Sequence, residues 1–198
     1  RLVASPGCYP TSIMLPLIPL MKAGLLEKDS IAVSSMSGVS GAGRTASIPL
    51  IFAECNESVR SYGMPRHRHL SEIEQELSKA AGEKITISFV PHLIPVTAGI
   101  CTTIFATLSG DFSNVGPTLK EAYGDCPFVR LRGEGTSPDT KHVVGTNFID
   151  IGWHHDTRTG RVVLQSCEDN LGKGAAGQAV QSFNLMMGNS ETAGLQKL

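Results

Sequence analysis

Two short stretches hold the side chains best suited to covalent and proton-transfer chemistry: Gly7-Cys8-Tyr9-Pro10-Thr11 and Arg66-His67-Arg68-His69. A thiolate attacks carbonyl carbon far better than a thiol does. A cysteine in the first turn of a helix is helped toward that state by the partial positive charge of the unpaired backbone N–H groups there. Cys8 is expected at such a position, with Pro10 suited to a helix first turn and Gly7 letting the chain turn sharply beside it. The same N–H groups would hold the oxyanion of a tetrahedral intermediate. The competing reading of Cys8 is a small buried hydrophobe, the common fate of an unpaired cysteine. Cys55, Cys101, Cys126 and Cys167 lie in apolar or strand contexts with no Gly-flanked helix start and read as packing residues.

A cysteine nucleophile needs a partner that moves protons near neutrality, and histidine, with an unperturbed pKa of ~6.5, is the usual one. In an extended segment residues two apart point the same way, so His67 and His69 would both face the site while Arg66 and Arg68 face away. Either histidine is the acid/base candidate. The alternatives are a solvated basic loop and a His-x-His zinc arm, and the latter lacks a matching Cys or carboxylate pair, so no metal is expected. His154 and His155 precede the turn at residues 156–160 and read as surface. His92 and His142 stay open between core and site.

Several elements must position these groups. An almost wholly apolar run from Cys8 to Met21, ended by Gly24, reads as a buried helix, with Pro16 able to kink it. Residues 30–35 read as a strand feeding Ser37-Gly38-Val39-Ser40-Gly41-Ala42-Gly43-Arg44, a small-residue loop that a ligand can approach closely. A helix is expected to Ala81 with Ser71 as N-cap and Glu74 completing a capping box, and Ile73 and Leu77 on its buried face. Strands are predicted at 84–90, 99–108, 128–132, 147–152 and 161–165, and a helix at 115–123. After Gly172-Lys173-Gly174-Ala175-Ala176-Gly177, apolar residues at 176, 179, 180, 183 and 187 repeat at helical spacing. The expected fold class is α+β: a mixed, largely antiparallel sheet with helices on one face and the other face available to a second subunit.

Composition removes other classes. With 17 Lys+Arg against 18 Asp+Glu in 198 residues and no block of one sign, nothing suits a phosphate backbone, so no nucleic-acid partner is expected. The longest apolar stretch carries Pro16 and Pro19 and falls short of the ~20 residues of a membrane span. Five cysteines without a CxxC pair fit a reducing, cytoplasmic setting better than a disulfide framework. Charged residues at 18%, below the usual ~25%, hint at surface covered by a partner subunit or domain. The chain opens without Met and runs directly into the cysteine motif, which reads as a cut within a longer protein.

Gly7-Cys8-Tyr9-Pro10-Thr11-Ser12, the loop 37–44, His67-Arg68-His69 with Glu72-Ile73, and Asp169-Asn170-Leu171 leading into residues 172–181 together resemble N-acetyl-gamma-glutamyl-phosphate reductase of arginine biosynthesis. Residues 89–93, Pro95, Gly99 and 142–148 follow the same pattern in the same order. The resemblance implies NADP(H)-dependent reduction of an acyl phosphate to N-acetylglutamate semialdehyde through a thioester on Cys8, with His69 or His67 moving the proton. It further implies Arg44, Arg68, Ser37 and Gly38 against the substrate, and Gly7, Gly41, Asn170 and Gly174 toward the cofactor. The family's architecture implies a catalytic and dimerisation domain at 1–172 and a C-terminal helix at 173–198 that returns to a nucleotide-binding domain preceding this segment. It also implies a homodimer or homotetramer. Residues 37–44 lack GxGxxG spacing, and residues 172–177 have it but do not directly follow the strand predicted at 161–165, so no dinucleotide fold is read in this chain. Three other readings compete. One is a related acyl-phosphate reductase such as aspartate-semialdehyde dehydrogenase, which residues 9–11 and 67–69 argue against. Another is a dimerisation module, inactive without the nucleotide domain. The third is a cysteine hydrolase, for which no Asp or Asn orienter stands near the histidines.

Overall fold

A computed structural model describes residues 2–196; Arg1, Lys197 and Leu198, the outer limits of the two expected domains, lie outside the described residues. In chain order the elements are α1 (Cys8–Lys22), β1 (Ala32–Ser37), the short α2 (Phe52–Cys55), β2 (Arg60–Ser61), α3 (Leu70–Ala81), β3 (Ser88–Leu93), β4 (Ile100–Thr107), α4 (Val115–Tyr123), β5 (Val129–Glu134), β6 (Ile149–Asp156), β7 (Arg161–Glu168) and α5 (Gly177–Met187). A π-helical turn, Gly172–Ala176, leads into α5. The strands form one seven-stranded sheet in the order β2-β3-β1-β4-β7-β6-β5, parallel only at β1–β3 and β5–β6. The mixed, largely antiparallel sheet with helices packed on one face is therefore as expected.

Period-2 alternation sets which side chains meet the helices. Val33, Ser35 and Ser37 of β1, Ile100, Thr102, Ile104 and Ala106 of β4, and Val162, Leu164, Ser166 and Glu168 of β7 point inward and are buried. The apolar ones among them form one core with Ile13, Leu17 and Leu20 of α1, Ile73 and Leu77 of α3, and Val115 and Leu119 of α4. The opposite face carries Met36 and Phe105, which stay exposed, and sets Cys101 directly across from Cys167.

Helix α1 contains two interior prolines yet runs unbroken for 15 residues. Pro16 has no N–H for the carbonyl of Ser12, and Pro19 none for that of Leu15. Both carbonyls are satisfied from outside the helix: Ser166 Oγ donates to Ser12 O at 2.6 Å, and Tyr123 Oη donates to Leu15 O at 2.8 Å. Beside them, Thr102 Oγ1 bonds both Ser12 Oγ and Ser35 Oγ at 2.8 Å, tying α1 to β4 and β1. We expect Ser166→Ala to cost about 1–3 kcal/mol in urea unfolding, the penalty of a buried orphan carbonyl. In a Pro16→Ala background, where residue 16 regains its N–H, the same change should cost measurably less. Equal costs in both backgrounds would contradict this account.

Four local expectations are corrected. Helix α3 begins at Leu70 with His69, not Ser71, at the N-cap, because Leu70 N already bonds His67 O and Ile73 N bonds His69 O. Glu74 closes no capping box; its carboxylate accepts from Ile87 N at 3.1 Å instead. The strand predicted at 84–90 forms at Ser88–Leu93, where pairing with β1 holds it, and β7 runs on past Gln165 to Glu168.

Candidate active site

The positions of Cys8 and the histidines follow from three joints. Gly7 is extended, and α1 starts at Cys8, leaving the N–H groups of its first turn unpaired within the helix. The β1 strand ends at Ser37 beside the α1 terminus and releases the loop 38–43. Segment 64–69 turns into α3, whose Glu72 accepts from Gly7 N at 3.2 Å and so fastens the nucleophile's neighbour to the histidine loop. A Cβ on Gly7 would lie 2.6 Å from His69 Nε2, so only glycine lets the imidazole sit against the residue before Cys8.

These joints enclose a cavity of about 550 Å³ whose walls include Cys8, Tyr9, Ser37, Gly38, Gly41, Tyr62, His67 and His69. Arg60, Arg66 and Arg68 also line it, making the wall strongly cationic. The expectation that Arg66 and Arg68 face away fails because the segment bends into a turn rather than running extended. Arg44 is exposed and is not among the residues lining the cavity. Asn170 is buried with both amide atoms used inside the chain: Oδ1 accepts from Gly99 N at 2.6 Å and Nδ2 donates to Ser40 Oγ at 2.9 Å. Gly174 is buried beneath Cys8, where a Cβ would meet Cys8 Cβ at 2.7 Å. Of Gly7, Gly41, Asn170 and Gly174, only Gly41 lines this cavity.

The two histidines differ in setting. His67 is ringed by Tyr9, Tyr62 and Phe89, with centroids 5.4 to 5.6 Å away, and its Nδ1 accepts from His69 N at 3.2 Å, leaving any ring proton on Nε2. His69 has a buried Nδ1 with no protein partner, and its Nε2 faces Gly7. Burial, then the neighbouring His67 and Arg68 charges, pull His69 down to about 4, so its ring is neutral at pH 7 and able to accept a proton. His67 is lowered by burial and by Arg68.

Cys8 departs from the expected ready thiolate. Burial first, then Glu168, push its thiol up; the N–H groups of Tyr9 and Cys8 and the Arg68 charge pull the other way and lose. Sequence reasoning passed over Glu168, over Arg60, and over Tyr9 and Tyr62, whose hydroxyls bond at 2.8 Å on the cavity wall. The signal for Glu168 was the inward phase of β7, an acid where Val162, Leu164 and Ser166 place buried side chains; Tyr62, in a loop, offered none.

Comparison with known proteins agrees with this architecture. Residues 8–170 match the family model described as semialdehyde dehydrogenase, dimerisation domain. The chain is 64% identical over 197 residues to N-acetyl-gamma-glutamyl-phosphate reductase of Akkermansia muciniphila, covering 98% of this chain and 57% of that protein. It is 50% identical over 199 residues to the reductase of that name from Rhodospirillum rubrum, covering 100% of this chain and 56% of that protein. The chain thus spans a little over half the length of these relatives. Among solved structures, aspartate semialdehyde dehydrogenase II from Vibrio cholerae superposes with a TM-score of 0.71 at 18% identity, over 93% of this chain and 62% of that one. A probable aspartate-semialdehyde dehydrogenase from Pseudomonas aeruginosa gives 0.71 at 19% identity, over 94% and 62%. At those identities the likeness is one of fold. Among the described residues no helix is long and apolar enough to cross a membrane.

Proposed function

The chain belongs to the semialdehyde dehydrogenase dimerisation-domain family, and from that premise we propose that it is the acyl-accepting part of an N-acetyl-gamma-glutamyl-phosphate reductase with NADP(H) as reductant. The observation that carries the reading is Cys8 at the start of α1, on the wall of one cationic cavity with His67, His69 and three arginines. The choice of acyl group rests on the 64% and 50% identical relatives of that name.

In this reading Cys8 Sγ attacks the acyl carbon of the acyl phosphate, a mixed anhydride, the bond from that carbon to the phosphate oxygen breaks, and inorganic phosphate leaves. The thiol proton passes to neutral His69, whose Nε2 faces the Cys8 backbone neighbour. Arg68 and Arg66, with Arg60 behind them, neutralise the departing phosphate, a task suited to guanidinium groups. Ser37, Gly38 and Gly41 shape the wall where the acyl chain lies. His67 holds Tyr9, Tyr62 and His69 in place. The reductant is held by the rest of the reductase, with 1–172 as the catalytic and dimerisation domain and 173–198 as the segment, carrying α5, that returns to it. The open sheet face with Met36 and Phe105 pairs two copies, giving a cytoplasmic homodimer or a homotetramer built from it.

The test is the acylation half-reaction on this chain. Mixed with N-acetyl-gamma-glutamyl phosphate and no reductant, it should release one equivalent of phosphate and gain one acyl group on the Cys8 peptide, read by mass spectrometry. Equal labelling by aspartyl phosphate would move the reading to the related reductase. No adduct on Cys8, with the chain folded and dimeric, would favour a dimerisation module.

A further inference from the structure

Glu168 ends the inward row of β7 and is completely buried, and neither of its carboxylate oxygens has a hydrogen-bond partner in the protein. Its in-register neighbours are Ile100 on β4 and Ile149 on β6, so the adjacent strands offer it no charge. The nearby cation, Lys173, is itself buried and gives its ammonium to Gln181 Oε1 at 2.7 Å. Gly174 is packed tightly between the two groups, with no room for a side chain: a Cβ there would lie 2.7 Å from Cys8 Cβ and 2.9 Å from Glu168 Oε1. The nucleophile of α1 and the carboxyl of β7 therefore close on the same glycine.

An ionised carboxylate buried there without a partner has given up its hydration for nothing. Burial raises Glu168 well above the usual carboxylate range; Lys173 opposes this, and Asp169 adds to it. The charged and titratable groups around the pair are Lys173 and Asp169 beside Glu168, and Arg68, Tyr9 and Tyr62 beside Cys8. We propose that Glu168 restrains the nucleophile: Cys8 becomes a thiolate readily only while Glu168 keeps its proton, because the ionised carboxylate would stand against the thiolate on the other side of Gly174. Glu168 is in this sense a positioning residue, acting on the substrate only through Cys8. The inference rests on the reading of Cys8 as the nucleophile.

The experiment follows iodoacetamide alkylation of Cys8 against pH by peptide mass spectrometry, with exposed Cys126 as internal reference. Glu168→Gln keeps the shape and removes the charge. Its Cys8 midpoint should fall by about one pH unit, making alkylation about tenfold faster at a fixed alkaline pH where Glu168 is ionised and both midpoints lie higher, while Cys126 is unmoved. A merely structural role would not produce a faster, acid-shifted cysteine. Equal midpoints, or an alkaline shift, overturn the restraint and leave the nucleophile reading standing. A Cys8 that stays inert in both proteins where Cys126 reacts overturns both. Infrared spectroscopy of the unsubstituted chain tests the same point without a variant. A protonated-carboxyl carbonyl band at neutral pH that vanishes on alkalinisation is expected, and its absence overturns the proposal.

Discussion

Cys8→Ser should lower turnover of the complete reductase by about 10⁴-fold or more, the scale on which removal of a covalent nucleophile is felt. A serine hydroxyl keeps the size and helix position of the thiol, so α1, with Ser166 and Tyr123 holding its carbonyls, should unfold at the same urea concentration as before. The loss should therefore sit in the chemical step. The phosphate burst and the acyl adduct disappear together, while substrate still enters a cavity whose three arginines are untouched. A variant that kept more than about 1% of turnover would show that acyl transfer does not pass through residue 8.

The second large effect is expected at His69. His69→Gln removes the ring nitrogen that faces Gly7 and should reduce turnover by about 10²–10⁴-fold, the range of a lost general acid or base. His67→Gln should cost less in turnover and more in order, because His67 is packed among Tyr9, Tyr62 and Phe89. If His67→Gln proves the more damaging to turnover in a folded protein, the two roles are exchanged. The pH dependence has a definite sign. His69 is at about 4 in the folded chain against its ordinary 6.5, so between those values the unfolded chain binds more protons than the folded one. Stability from this group is fully present above pH 6.5 and is lost as pH falls toward about 4. Stability measured through that window should be flatter in His69→Gln than in the unsubstituted chain.

Much of this was legible in residue order, for physical reasons that can be named. The α4 bounds follow from periodicity alone, and the sheet class follows from several strand-like segments with few helices between them. Cys8 is recognisable because a glycine before it and a proline two residues after it mark a helix start. What escaped depends on long-range packing. Whether Cys8 is a thiolate turns on Glu168, 160 positions away, and a local argument from the helix terminus sees only the weaker, favourable side. Asn170 and Gly174 lie in a motif that reads as ligand-facing, yet the fold spends one on Gly99 and Ser40 and wedges the other beneath Cys8. The direction of Arg66 and Arg68 turned on a bend that two-residue alternation does not foresee.

The prolines of α1 carry a consequence for the order of assembly. A helix with interior prolines keeps vacant carbonyls until something else arrives to fill them. Here the donors come from Tyr123, 108 positions beyond Leu15, and Ser166, 154 positions beyond Ser12. A nascent chain that has emerged only as far as α3 carries the cysteine and both histidines, but its first helix has orphan acceptors facing a core not yet synthesised. Completion of the first helix is thereby a late event of biosynthesis, reached when β7 inserts beside β4, and a chain truncated before that strand keeps the Ser12 carbonyl without its donor.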